Sequence, residues 1–137
     1  MNSEVINEVA RATLAGTISF PEVVQRLIET GVDYYHVDYV AMRKTFYSSS
    51  GDTVCTPIMY ERLPLVAAEL DVEALRANIA DSQQRGQKYR DFTTRAMAAG
   101  VQGYTAFLRG QRVIYSGRTG DQHIEWFPGA GPKGERK

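Results

Sequence analysis

The sequence predicts an α+β fold in a single domain, with helices packed on an antiparallel sheet built from two helix-plus-hairpin repeats. The stretch at residues 20–52 recurs at 89–121 without a gap, with seven identities in 33 positions. In each copy an apolar pattern of helical period changes to alternation of period two after a Gly-Val step. Neither copy alone can cover the apolar side of its strands, so we expect both in one sheet, related by a pseudo-twofold axis.

The first two helices are predicted from capping residues. Ser3 is predicted to cap a helix from Ser3 to Ala15, and Gly16 can adopt the left-handed conformation after its end. Ser19 and Glu22 form a capping box before the second helix, which Gly31 ends. The apolar residues of this second helix share one face: Phe20, Val23, Val24, Leu27 and Ile28.

The rest of the first copy reads as three strands. Residues after Gly31 alternate, with Tyr35, Val37 and Tyr39 on one face and Tyr34, His36 and Asp38 on the other. The next strands are predicted at Arg43–Ser48 and Thr53–Thr56.

The insert at residues 59–86 is predicted to be two helices joined by a bend. Pro64 can open one helix through Leu70, and Asp71 can cap another that ends near Gly86.

The second copy repeats the same order of elements. A helix begins near Lys88 and ends at Gly100. A three-strand meander follows, and residues 129–137, rich in Gly and charged residues, are predicted to be a disordered tail. The three strands are predicted at Val101–Leu108, Arg112–Ser116 and Gln122–Phe127.

Composition narrows the classes of function. Lys and Arg together number 16, as do Asp and Glu, so no net field exists to attract nucleic acid or an anionic membrane. The lone cysteine, Cys55, cannot form an internal disulfide, which favours a reducing compartment. No apolar run approaches the length of a membrane span, and the start of the chain does not read as a signal peptide. We therefore expect a cytoplasmic protein that binds neither nucleic acid nor membrane.

The pattern His-x-acid occurs twice, as His36 with Asp38 and as His123 with Glu125. Residues two apart on a strand share a face, so each imidazole has a carboxylate beside it. Such a pair can act as a general base or a metal ligand with its partner. The alternative is that both pairs lie on the solvated face of a sheet, where polar residues alternate with apolar ones. His36 corresponds to Thr105 in the repeat, so the two pairs are not equivalent.

Weaker candidates for ligand binding are the matched arginines Arg43 and Arg112, together with Trp126. The arginines can grip an anion, although exposed strand arginines are common. Eight tyrosines with Trp126 and Phe127 can form an aromatic binding surface, although many are expected in the core, Tyr35 and Tyr104 among them. Cys55 reads as a small buried hydrophobe, and no metal or cofactor is expected.

A set of short motifs gives the chain a family resemblance. They are Phe20-Pro21-Glu22-Val23-Val24, Gly31-Val32, Tyr35-His36-Val37-Asp38-Tyr39, Tyr89-x-Asp91-Phe92, Met97-Ala98-Ala99-Gly100, Val113-Ile114-Tyr115-x-Gly117-Arg118-x-Gly120 and His123-Ile124-Glu125-x-Phe127-Pro128. With these motifs the chain resembles the phage envelope protein-like (YdfO-like) family of small bacterial and prophage proteins. The resemblance implies a compact α+β domain of bacterial or phage origin and supplies no activity, cofactor or catalytic residue.

Taken together, these patterns predict a small non-enzymatic binding or interaction protein whose partner is a protein or a small molecule. The alternative is an enzyme or metal-binding protein that uses the cluster of His36, Asp38, His123 and Glu125. A homodimer built through a sheet edge or an aromatic face is a third possibility.

Overall fold

The structure, a computed structural model, describes residues 1–131 of the 137. Within them the chain forms four helices and six strands. In chain order these are α1 Ser3–Ala15, α2 Phe20–Glu29, β1 Val32–Asp38, β2 Arg43–Ser48, β3 Thr53–Pro57, α3 Val72–Arg85, α4 Tyr89–Ala98, β4 Val101–Phe107, β5 Arg112–Gly117 and β6 Gln122–Trp126.

The six strands form one sheet in the order β3-β2-β1-β4-β5-β6, and every neighbouring pair is antiparallel. The predicted α+β fold is therefore confirmed. The strands β1 and β4 meet at the centre of the sheet, and β3 and β6 form its two edges. Gly103 lies in this central contact, where an added Cβ would fall 2.6 Å from the carbonyl oxygen of Val37.

One face of the sheet carries the core. Its inward residues include Tyr35, Val37 and Tyr104, which pack with apolar residues from all four helices. The alternation predicted for β1 is confirmed, because Tyr35 and Val37 are buried while Tyr34 and His36 keep part of their surface.

The opposite face, which we call the open face, carries no residue of the core cluster. Its residues are only partly buried or exposed, apart from Gly103. They are Tyr34, His36, Asp38, Arg43, Thr45, Tyr47, Thr53, Cys55, Pro57, Gly103, Thr105, Phe107, Arg112, Ile114, Ser116, Gln122, Ile124 and Trp126.

Helix ends follow local chemistry. Ser19 caps α2 as predicted, with its hydroxyl accepting from the Glu22 amide, and Gly16 ends α1 with a φ of 74°. The predicted cap at Ser3 is wrong, because the Asn2 side chain accepts from the amides of Glu4 and Val5 and takes that position. The predicted strand bounds agree with the structure to within one residue.

The helix predicted for Pro64–Leu70 is wrong, so the insert contains α3 alone. Residues 58–71 are irregular and run along the end of α4. The amide of Ala67 donates to the Met97 carbonyl, and that of Asp71 donates to the Ala99 carbonyl. Both carbonyls lie at the end of α4, and that of Met97 also accepts from the Gly100 amide. Bonds to a distant element therefore replace the local helical bonds that Pro64 suggested.

The elements of the two predicted copies have matching bounds. Each element from α2 to β3 begins 69 residues before one of the same type and length between α4 and β6. Gly31 and Gly100 precede the two central strands with φ values of 88° and 92°. The duplication stays a prediction that these correspondences support.

The predicted tail begins at residue 129, and residues 132–137 lie outside the described part of the chain. Within the described part of the predicted tail, the amide of Ala130 donates to the Phe127 carbonyl. None of the helices within residues 1–131 is long and apolar enough to cross a membrane.

Candidate functional site

The two His-x-acid pairs lie on opposite faces of the sheet. His36 pairs across strands with Thr45 and Thr105 on the open face, whereas His123 pairs with the buried Tyr115 on the core face. The strands β4 and β5 also separate β1 from β6, a gap of three strand spacings or about 14 Å. The structure therefore does not bring His36 and His123 together.

Each side chain of the first pair is engaged separately. His36 Nδ1 lies 2.9 Å from Thr105 Oγ1 on the adjacent central strand. Asp38 Oδ1 accepts from the amides of Val40 and Ala41, at 2.9 and 2.8 Å, in the turn that follows β1. The Asp38 carboxylate thus holds a turn.

The second pair is formed as predicted from its spacing. His123 Nε2 lies 3.0 Å from Glu125 Oε1, and the imidazole stacks on Tyr115 with ring centroids 6.4 Å apart. Within residues 1–131 no group of three or more His, Cys, Asp or Glu side chains is arranged to hold a metal ion. The pair on β6 is accordingly a partly exposed hydrogen bond between an imidazole and a carboxylate.

The candidate arginines both lie on the open face but in different rows. Arg43 is a cross-strand partner of Asp38 near one end of the strands. Arg112 pairs with Phe107 and Trp126 near the other end, and its guanidinium lies 4.1 Å from the centre of the Trp126 ring. The two guanidinium groups are therefore not placed to bind one anion together.

The residues beside Arg112 form a continuous line across five strands, which we call the aromatic row: Tyr47, Tyr34, Phe107, Arg112 and Trp126. Tyr34 stacks on Tyr47 with centroids 4.6 Å apart and planes 15° apart. Tyr34 also stacks on Phe107 at 5.7 Å and 29°. Cross-strand aromatic contacts of this kind stabilise a sheet.

Stacking determines what the aromatic row presents to solvent. The ring faces of Tyr47, Tyr34 and Phe107 are directed at one another, so their edges point outward. The Trp126 ring is covered by Arg112, and the backbone of Gly131 also lies against it, since a Cβ there would come 2.5 Å from the indole. A platform for stacking bases would need free ring faces. The row instead offers a ridge of apolar edges.

Composition distinguishes the open face from an ordinary solvated one. None of its residues is Lys or Glu, and its charged residues are Asp38, Arg43 and Arg112. Protein interfaces are enriched in aromatic residues and Arg and depleted in Lys and Glu. Ile124 is 45% exposed here. The open face therefore has the composition of an interface.

A family comparison covers nearly all of the helices and strands described above. The family profile described as "Protein of unknown function (DUF1398)" matches residues 3–124. The chain belongs to the DUF1398 family. The match spans all four helices and every strand except the end of β6, so it includes the aromatic row apart from Trp126. A search of curated proteins finds no match.

A second unusual group in this DUF1398 protein lies beneath the sheet. Lys44 is only 4% exposed and points into the core, where its Nζ lies 4.2 Å from the centre of the Tyr89 ring. Burial lowers the pKa of Lys44 to about 7, although the ring face of Tyr89 attracts the ammonium form. Among the described residues no carboxylate pairs with it.

Tyr89, whose ring Lys44 contacts, belongs to a network of tyrosine hydroxyls. The hydroxyl of Tyr89 lies 2.7 Å from that of Tyr104 and 3.1 Å from that of Tyr39. Burial raises the pKa of Tyr39 to about 12 and raises that of Tyr89 and Tyr104. Thr56, the cross-strand partner of Lys44, has a buried Oγ1 without a hydrogen-bond partner within residues 1–131.

Sequence reasoning missed Lys44. The signal was available, because alternation along β2 places Lys44 on the same face as the buried Phe46. A depression lined by Met59, Glu61, Arg62 and Arg90 includes none of the candidate residues. Lys44 is therefore a buried residue on the core face of the sheet.

Proposed function

We propose that this DUF1398 protein is a non-enzymatic interaction protein that binds a protein surface through the open face of its sheet. The observation that carries the proposal is the aromatic row, a ridge of ring edges across five strands on a face without Lys or Glu. Burying such edges gains hydrophobic free energy and costs little charge desolvation.

Geometry favours a protein over a small molecule as the partner. Small-molecule sites are concave and enclose most of the ligand. The open face is one side of a six-strand sheet, and its ring faces are already used in stacking. The formal net charge of zero and the stacking of Tyr34 between Tyr47 and Phe107 also speak against nucleic acid as the partner.

The proposal extends to origin and location. The resemblance to the phage envelope protein-like (YdfO-like) family supports a bacterial or prophage origin. The prediction that Cys55 is a buried hydrophobe is wrong, because Cys55 lies exposed on the edge strand β3. An exposed lone cysteine supports a reducing, cytoplasmic location. The alternative, an enzyme or metal-binding protein built on His36, Asp38, His123 and Glu125, has no observation in its favour, because the two pairs lie on opposite faces.

The single cysteine gives a direct test, since Cys55 is exposed at the edge of the open face. A thiol-linked benzophenone on Cys55, irradiated in a bacterial extract, should yield adducts of defined mass with a protein partner. Ile124→Glu should abolish them, because a carboxylate would have to be buried in the contact.

The matched control is Ile28→Glu. Ile28 is 51% exposed on α2, comparable to Ile124 at 45%, but lies on a helix packed against the other side of the sheet. It should leave the adducts unchanged. Adducts that survive Ile124→Glu, or that Ile28→Glu removes equally, would contradict the open face as the binding surface.

A further inference from the structure

We infer that the occupant of the open face is a second copy of this chain, packed sheet against sheet in a twofold dimer. This inference rests on the proposed function, because it names the partner of the same face.

The size of the face supports a dimer. Six strands about 4.8 Å apart, each five to seven residues long, present a surface of roughly 25 by 20 Å. Side chains of packed sheets interdigitate, so the area removed from water exceeds this projection and approaches the ~800 Å² per partner of standard interfaces. A second open face has matching dimensions and can cover it.

Charge also permits self-association. The chain has a formal net charge of zero, so two copies do not repel each other over distance. On the open face Asp38 and Arg43 are cross-strand neighbours of opposite charge, and Arg112 is engaged with Trp126. No row of like charges would therefore meet its own copy.

The rows select the direction of the twofold axis. An axis parallel to the strands places the aromatic row against the aromatic row of the second copy, reversed in strand order. An axis across the strands would instead set the apolar ring edges of the aromatic row against the charged Asp38 and Arg43 of the second copy. The first arrangement sets Tyr34 opposite the partner's Phe107.

The sheet edges are poor alternatives for pairing two copies. Both edge strands have only five residues, and β3 ends in Pro57, which has no amide to donate. On β6 the charged Glu125 points to the core face. Short edges, proline and inward charges are features that oppose edge-to-edge pairing.

Two native probes test the dimer without labels, since the only tryptophan and the only cysteine of the chain, Trp126 and Cys55, both lie on the open face. Light scattering of the purified full chain should give the mass of two chains. When dilution dissociates the dimer into single chains, Trp126 fluorescence should shift to longer wavelength. Cys55 should then react several-fold faster with a thiol reagent.

Variants distinguish the dimer from other outcomes. Ile124→Glu should give a single-chain mass with an unchanged circular dichroism spectrum, and Ile28→Glu should keep the mass of two chains. A single-chain mass at all concentrations, or a dimer that Ile124→Glu leaves intact, overturns the inference. If the purified chain is single but extract adducts at Cys55 still depend on Ile124, the dimer fails and the proposed function stands. If neither the mass nor the extract adducts depend on Ile124, both the dimer and the proposed function fail.

Discussion

His36 and Thr105 are cross-strand partners at the centre of the sheet, and their side chains lie 2.9 Å apart. They are also 69 residues apart, the offset that relates the two sets of elements. In the predicted duplication each is the counterpart of the other, and its pseudo-twofold axis would pass between them, normal to the sheet. A histidine that the sequence offered as a catalytic candidate thus lies where the two halves join.

The His36–Thr105 contact should contribute to stability as a coupled pair. His36→Ala and Thr105→Val each remove one partner, and together they should cost less than the sum of the single changes, by about 0.5–1.5 kcal/mol. Urea unfolding of the wild type, both single variants and the double variant measures this coupling. Strict additivity of the two changes would contradict the bond.

Gly100 and Gly31 should respond very differently to the same substitution. Both have positive φ, so Gly→Ala costs about 1 kcal/mol at each from conformation alone. At Gly100 an added Cβ would also clash with the Glu69 carbonyl, whereas at Gly31 its nearest neighbour is 4.0 Å away. We expect Gly100→Ala to lower the free energy of unfolding by at least ~2 kcal/mol more than Gly31→Ala.

Denaturant unfolding of the two glycine variants makes the comparison direct. Gly51→Ala is a further control, because Gly51 has a φ of 93° and open space around it. Equal losses at Gly31 and Gly100 would show that the insert does not pass over Gly100.

Local patterns accounted for much of the fold. Ser19 and Glu22 predicted the start of α2, and alternation predicted the strand faces, because both depend on residues close in sequence. The helix prediction for Pro64–Leu70 was wrong because this segment is tied to a distant element, with the Ala67 amide donating to the Met97 carbonyl of α4. The sharing of a face by His123 and Glu125 was predictable from spacing.

The candidate site could be predicted only in part. Spacing could not show that His36 and His123 lie on opposite faces, since that requires the strand order and the side on which the helices pack. The aromatic row likewise depends on cross-strand registers, which bring Tyr47, Tyr34 and Phe107 together from three strands. Alternation along β2 could have predicted that Lys44 is buried, but no sequence motif drew attention to it.

The tyrosine hydroxyls beneath the sheet should contribute more to the free energy of unfolding than those on the open face. Tyr89→Phe removes the hydroxyl that joins Tyr39 and Tyr104 and leaves two buried hydroxyls with fewer partners. We expect a loss of about 1–3 kcal/mol in the free energy of unfolding. Tyr47→Phe, on the partly exposed aromatic row, should change stability by less than ~0.5 kcal/mol. Thermal or urea unfolding compares them, and equal losses would contradict the buried network.

Lys44 and the buried tyrosines should give the protein an alkaline stability maximum. Burial lowers the pKa of Lys44 to about 7 in the folded protein, whereas the unfolded chain titrates near 10.5. Between these values the unfolded chain holds a proton that the folded chain has lost, so the free energy of unfolding rises with pH. Above about pH 10 the unfolded tyrosines ionise while Tyr39 and Tyr104 stay protonated, so it falls again.

Unfolding in urea at a series of pH values from 6 to 11 tests this profile. Lys44→Met should raise stability by a few kcal/mol at pH 7, because it removes the cost of burying an ammonium, and should abolish the rise toward pH 10. The fall above pH 10 should remain, since it arises from the tyrosines. Lys88→Met is the control, because Lys88 is exposed and its loss should leave the rise intact. A wild-type profile that is flat between pH 7 and 10 would show that Lys44 stays charged in the folded core.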